Sequence, residues 1–112
     1  AGIGEMDSNV LRERKQLSED GLCIVILNVS AKRGELNSRP EIVSRGFTYM
    51  GEAQTWLEDA KNTIVNSIDQ ESLRSRDYVN IKIALRKALT NYLNKKLKRK
   101  PMIIPIIIES ND

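Results

Sequence analysis

The side chains with the strongest claim to chemistry in this chain of 112 residues are a lone cysteine and a run of cations. Cys23 sits inside the apolar run Leu22 to Leu27, where a thiol behaves as a small hydrophobe. A single cysteine cannot close an intramolecular disulfide, which fits a reducing compartment. Lys95-Lys96-Leu97-Lys98-Arg99-Lys100 places five basic residues in six positions. Two readings of this run stand side by side. It can contact nucleic-acid phosphates, helped by Lys32, Arg33 and Arg45 if they lie nearby. Or it is a solvated helix end whose cations suit the negative end of the helix dipole.

The chain has no histidine. That removes any Ser-His or Cys-His couple and any imidazole ligand for zinc. Glu58, Asp59, Glu71 and Asp77 show no convergent spacing, so solvation is their default. Ser44-Arg45-Gly46 suggests a phosphate loop, but neither a Walker pattern nor a dinucleotide fingerprint accompanies it, and a tight turn needing Gly46 explains it better. Stacking aromatics, which single-strand binders use, are confined to Phe47, Tyr49, Trp56, Tyr78 and Tyr92, and Trp56 and Tyr92 read as core. The expectation is a chain with no catalytic residue, no metal site and no cofactor of its own.

Composition bounds the rest. Apolar residues make up 40% and charged residues 29%, as in an ordinary globular domain. Eighteen Lys and Arg against fifteen Asp and Glu leave a formal charge of +3, which permits contact with a polyanion without announcing it. The longest apolar stretches, Leu22 to Leu27 and Met102 to Ile108, fall well short of the ~20 residues that span a bilayer. No basic segment leads into an apolar one at the start. A bacterial cytoplasmic domain is the expectation.

The elements that must position these groups follow from periodicity. Val10 to Asp20 reads as a short helix stopped by Gly21, within a linker (1–20) arriving from something upstream. The remaining 21–112 reads as one α+β domain. Leu22 to Ser30 is β-branched and continuous, a strand buried on both faces. Ala31-Lys32-Arg33-Gly34 supplies a turn, and Glu35 to Val43 the returning strand, with a bulge or edge at Pro40. Ser44 to Tyr49 reads as a loop. Ala53, Trp56, Leu57, Ala60, Ile64 and Ile68 form one stripe of a helix over Glu52 to Asp69. Asp69 to Asp77 is polar and reads as a loop or frayed turn. A second helix runs from about Tyr78 to Lys98, with Ile81, Leu85, Ala88, Leu89 and Tyr92 inward and Lys82, Arg86, Lys87 and Lys95 snorkelling. Pro101 stops it, and Met102 to Ile108 makes a last strand with Pro105 at an edge or bulge. The sum is a small sheet of about three strands, covered on one face by two long helices.

Several segments resemble one family in order along the chain. Gly2-Ile3-Gly4, Val10-Leu11-Arg12-Glu13-Arg14 and Leu17-Ser18-Glu19-Asp20-Gly21 resemble the segment leading out of the catalytic body of ribonuclease J. Pro40-Glu41-Ile42-Val43-Ser44-Arg45-Gly46-Phe47-Thr48-Tyr49 resembles a signature of that family's C-terminal domain. Lys98-Arg99-Lys100-Pro101-Met102-Ile103-Ile104-Pro105-Ile106-Ile107-Ile108-Glu109 resembles its closing sequence. The resemblance implies a bacterial enzyme of the metallo-β-lactamase type that degrades and processes RNA as a 5′-to-3′ exonuclease and endonuclease. It implies zinc, or another divalent metal, bound by a His-x-His-x-Asp-His motif in a catalytic body absent here. For the present chain it implies a three-stranded sheet under two helices that supports oligomerisation.

An argument for assembly also stands without the family. Two helices on one side leave the other face of a small sheet uncovered. A wet face should alternate apolar with polar residues. Instead Leu22, Ile24 and Ile26 point one way, Cys23, Val25 and Leu27 the other, and the last strand is apolar on both parities. Each Ile or Val left exposed forgoes about 1.5–3 kcal/mol of burial. The coverings to weigh are a second copy, the catalytic body, or the N-terminal helix folded back, which has few apolar positions. The expected docking surface comprises Leu22, Ile24, Val25, Ile26, Ile104, Ile106 and Ile108, and its partner a homodimer or higher oligomer. The alternative is an accessory RNA-binding module using Lys95, Lys96, Lys98, Arg99 and Lys100.

Overall fold

Nine residues, Leu22–Ser30, form the central strand β1, and all but Asn28 and Ser30 are apolar. The computed structural model describes Leu11, Arg12, Arg14, residues 20–46 and residues 53–111. Leu11, Arg12 and Arg14 are helical; the rest of the helix expected over Val10 to Asp20 lies outside the described residues, as do Phe47 and Tyr49. After β1 the chain turns through Gly34, whose φ of 63° is left-handed and whose N–H donates to the Ser30 carbonyl at 2.9 Å.

The returning strand is not continuous. It comes as β2 (Glu35–Leu36) and β3 (Glu41–Arg45), both antiparallel to β1. Val29 pairs with Leu36 and Ile26 with Glu41, so residues 37–40 stand opposite only Leu27 and Asn28. The surplus is accommodated at Pro40, which has no N–H to give the ladder and is buried at the break. The strand also runs on through Ser44 and Arg45, where a loop was expected, because Ser44 pairs with Cys23 and Arg45 with Leu22. Gly46 ends it at a φ of 82°.

Helix α1 (Ala53–Ser67) presents Trp56, Ala60 and Ile64 to the core. The segment expected to be a loop or frayed turn contains a short helix, α2 (Gln70–Arg74). The polarity of that segment hid two caps: Asp69 accepts from the Ser72 N–H at 3.1 Å, and Asp77 then caps the next helix through the Asn80 N–H at 3.2 Å. Helix α3 (Tyr78–Leu97) buries Ile81, Leu85, Leu89, Leu93 and Leu97 at the four-residue spacing of one helical face. Lys98 takes the left-handed C-cap conformation at φ 57°, with its N–H on the Asn94 and Leu93 carbonyls.

Strand β4 (Met102–Ser110) lies parallel to β1 along its full length, Leu22 against Met102 through Ser30 against Ser110. It is two residues longer than expected because Glu109 and Ser110 keep the register. Since β4 occupies one edge of β1 throughout, β2 and β3 share the other. The sheet is therefore three strands wide, mixed, and centred on β1. Cys23, Val25, Leu27 and Val29 face the helices and join Trp56, Ile64, Ile81, Leu85 and Leu89 in one core. A surface clamp holds the crossover: Arg76 reaches both Glu109 carboxylate oxygens at 2.9 and 2.8 Å, and the Tyr78 hydroxyl donates to the same group.

Candidate functional site

The sheet face turned away from the helices is built by alternation along paired strands. Residues opposite one another in a ladder share a face. Ile24 pairs with Val43 on one side and Ile104 on the other, and Ile26 with Glu41 and Ile106. Leu22 lies between Arg45 and Met102, and Asn28 beside Ile108. These residues form an apolar field with Arg45 and Glu41 on its flank. Ile104, Ile106 and Ile108 remain 38%, 40% and 51% exposed, and Leu22, Ile24, Ile26, Val43 and Met102 are half-buried. Six of the seven residues expected to dock thus share this face.

Val25 does not belong to it. Its side chain is fully buried on the opposite face, paired with Ile42 and Pro105 and packed into the helix-covered core. The alternation separates Val25 from Ile24 and Ile26; what chain reading lacked was which parity the helices cover. Cys23 is on the core parity too, and burial pushes its thiol up to about 11, out of reach of ordinary nucleophilic use.

The edge of this face carries its own restriction. The Met102 N–H donates to the Gly21 carbonyl and the Ala31 N–H to the Ser110 carbonyl, so the even-numbered positions of β4 turn their backbone groups toward β1. Pro105 is an odd position. Its missing N–H therefore falls on the outer edge, where it leaves the β1 ladder intact and removes a donor that an added strand would need.

The second expected surface is the basic run. Lys95, Lys96, Lys98, Arg99 and Lys100 are all exposed where α3 ends. They do not act as one set. Lys98 serves as the C-cap, and Arg99 faces Asp20 at 4.0 Å, joining the segment before β1 to the segment before β4. Lys32 and Arg33 lie in the turn after β1, where Arg33 pairs with Glu35 at 3.3 Å. The start of β4 pairs with the start of β1, so the basic run lies near Arg45 and away from Lys32 and Arg33 at the other end of the strand. Trp56 is buried, and Tyr92 packs against the core.

Glu58 pairs with Arg39 and Lys61, Glu71 with Arg74, and Asp77 caps α3. Among the described residues no group of three or more His, Cys, Asp or Glu side chains gathers to hold a metal. With no histidine in the chain, the residues present do not fit the zinc centre implied for the catalytic body. No helix among the described residues is long and apolar enough to cross a membrane.

A mixed sheet under two long helices and a short one defines a two-layer α+β domain. The family model described as the ribonuclease J C-terminal domain matches residues 9–110. Ribonuclease J2 of Bacillus subtilis (strain 168) is 38% identical over 109 residues, covering 96% of this chain and 20% of that protein. A ribonuclease J 2 of Staphylococcus epidermidis is 36% identical over 110 residues, and one of Staphylococcus saprophyticus 34% over 109, each with the same coverage. The chain belongs to the ribonuclease J C-terminal domain family. It spans about a fifth of the length of the curated relatives it matches.

Proposed function

We propose that this chain is an assembly domain, pairing with a second copy through its open sheet face and thereby holding two copies of a larger RNA-degrading enzyme together. The name ribonuclease carried by the relatives supports the setting. The observation that carries the pairing is the isoleucine ladder Ile104, Ile106 and Ile108, exposed beside half-buried Leu22, Ile24 and Ile26 on one face. Contiguous apolar patches of this kind are rare on monomers and mark interfaces. Closed two-fold pairs are the commonest oligomers, and they demand a surface that complements itself. Arg45 and Glu41, of opposite charge on the same strand and face, meet that demand: a two-fold axis can bring each toward the other's counterpart. The proline at the outer edge of β4 favours face-to-face packing over extension of the sheet.

Sedimentation equilibrium on the chain across a wide concentration range tests the proposal. Self-association is expected, and Ile104→Asp with Ile106→Asp should weaken it by at least about a hundredfold, since buried central positions carry most interface energy. Both positions are substantially exposed in the single chain, so circular dichroism should report an intact fold. A monomer at high concentration would overturn self-pairing and transfer the face to the catalytic body.

A second reading, RNA contact by the basic end of α3, is favoured by one observation. Lys95, Lys96 and Lys98 are exposed and form no ion pair among the described residues.

A further inference from the structure

Between Asp77 and Glu109 the chain contains no acidic residue, while Lys82, Arg86 and Lys87 lie along α3 before the Lys95–Lys100 run begins. The remainder of the chain is acidic on balance. Ion pairs follow this division only in part: Arg99, inside the segment, faces Asp20 at 4.0 Å, and Lys32 and Arg45, outside it, form no ion pair among the described residues. Arg33, Arg39, Arg74 and Arg76 are each held by a carboxylate, whereas Lys82, Arg86 and Lys87 have no ion-pair partner among the described residues. The helix dipole explains cations in a last turn, but Arg86 and Lys87 sit in the middle of a 20-residue helix, where its effect has faded. Lys82 and Arg86 are four residues apart, a like-charged pair that disfavours the helix.

The same part of α3 is shaped. Ile83, Arg86, Lys87, Thr90 and Asn91 line an open depression of about 300 Å³. Ile83 is 57% exposed, an apolar floor between two cations, with a hydroxyl and an amide at one end. Phosphates need cations, and an unpaired base or a ribose needs an apolar surface with a few polar partners. The depression offers both. Its lining lies away from the buried stripe Ile81, Leu85, Leu89 and Leu93 of the same helix, so pairing through the sheet would leave it accessible.

We propose that the mid-helix depression of α3 is a contact site for single-stranded RNA, with Arg86 and Lys87 on the phosphates and Thr90 and Asn91 on ribose or base edges. The choice of RNA over an acidic polypeptide rests on the ribonuclease setting proposed above; the cationic site itself does not.

Fluorescence anisotropy of a labelled oligouridine with the full chain, from about 50 to 200 mM salt, tests this. Binding that falls with salt is expected, and Arg86→Glu with Lys87→Glu should weaken it about tenfold or more. The neutral pair Arg86→Gln and Lys87→Gln should weaken it less and lower the salt slope by about two, roughly one per lost phosphate contact. Helicity by circular dichroism should be unchanged in both, because these side chains are exposed. Absence of binding at the lowest salt would overturn the proposal, as would binding untouched by either pair. Displacement of the RNA by polyglutamate at equal charge would also overturn it, in favour of an acidic protein partner. Sedimentation of the same variants reads assembly separately: they should still self-associate, so loss of RNA contact and loss of pairing are distinguishable.

Discussion

At the scale of single residues, Glu109 shows how a surface group can fasten a fold. The Tyr78 hydroxyl, and then the Arg76 guanidinium, hold its carboxyl below the ordinary glutamate range. A lowered carboxylate contributes stability above its unfolded value and loses it as the pH falls through its folded value. The relevant window therefore opens near the usual glutamate value of about 4.3 and extends below it. Glu109→Gln should be less stable than the parent at neutral pH, and the gap should close as the pH drops through that window. Denaturant midpoints across the acid range check this; a gap constant in pH would show that the charge is immaterial. Nothing in the chain's spacing announced this clamp, since Arg76 and Glu109 are brought together only by the crossover to β4. The parity of β1, by contrast, was legible from Leu22 to Leu27, but not which parity the helices cover, and so Val25 was grouped with Ile24. Arg86 and Lys87 were visible as snorkelling cations. That they form no ion pair among the described residues is a property of the fold and not of the spacing.

At the scale of elements, long periodic stretches were readable and short irregular ones were not. The central strand, both long helices and the last strand carry enough repeats for their period to show. Helix α2 has five residues, too few for a stripe, and its identity lies in the caps Asp69 and Ser75. The break between β2 and β3 was signalled by Pro40, though its width depends on the register at both ends. Gly34 connects these elements. A Cβ built there would stand 3.0 Å from Arg74 Cγ and 3.1 Å from Arg74 Cα, at a backbone φ of 63°. The hairpin turn thus packs directly on the end of α2. Gly34→Ala should destabilise the domain by about 1–3 kcal/mol through left-handed strain and this contact combined. Urea unfolding measures it, and a loss below about 0.5 kcal/mol would mean that the turn can move away from α2 at little cost.

At the scale of the whole molecule, two layers give two surfaces with different physics. The sheet layer ends in isoleucines, and α3 carries cations, Arg86 and Lys87 among them, that form no ion pair among the described residues, so each proposed partner is recognised by one dominant force. Burial of Ile104, Ile106 and Ile108 removes apolar surface from water, an attraction that simple salt barely screens and that excluded solutes such as sulfate strengthen. Phosphate contact by α3 releases counterions and weakens steeply with salt. On the open sheet face Arg45 and Glu41 of β3 flank the apolar field, and an exposed pair of that kind contributes at most about 1 kcal/mol. The dissociation constant for self-pairing should accordingly change less than about threefold between 50 and 200 mM sodium chloride, a range over which even two phosphate contacts to a single strand lose about sevenfold in affinity. Sodium sulfate at the same ionic strength should tighten pairing. Sedimentation equilibrium in the two salts decides the matter: pairing that dissolves as sodium chloride rises would mean that charge, and not the isoleucine ladder, holds the copies together.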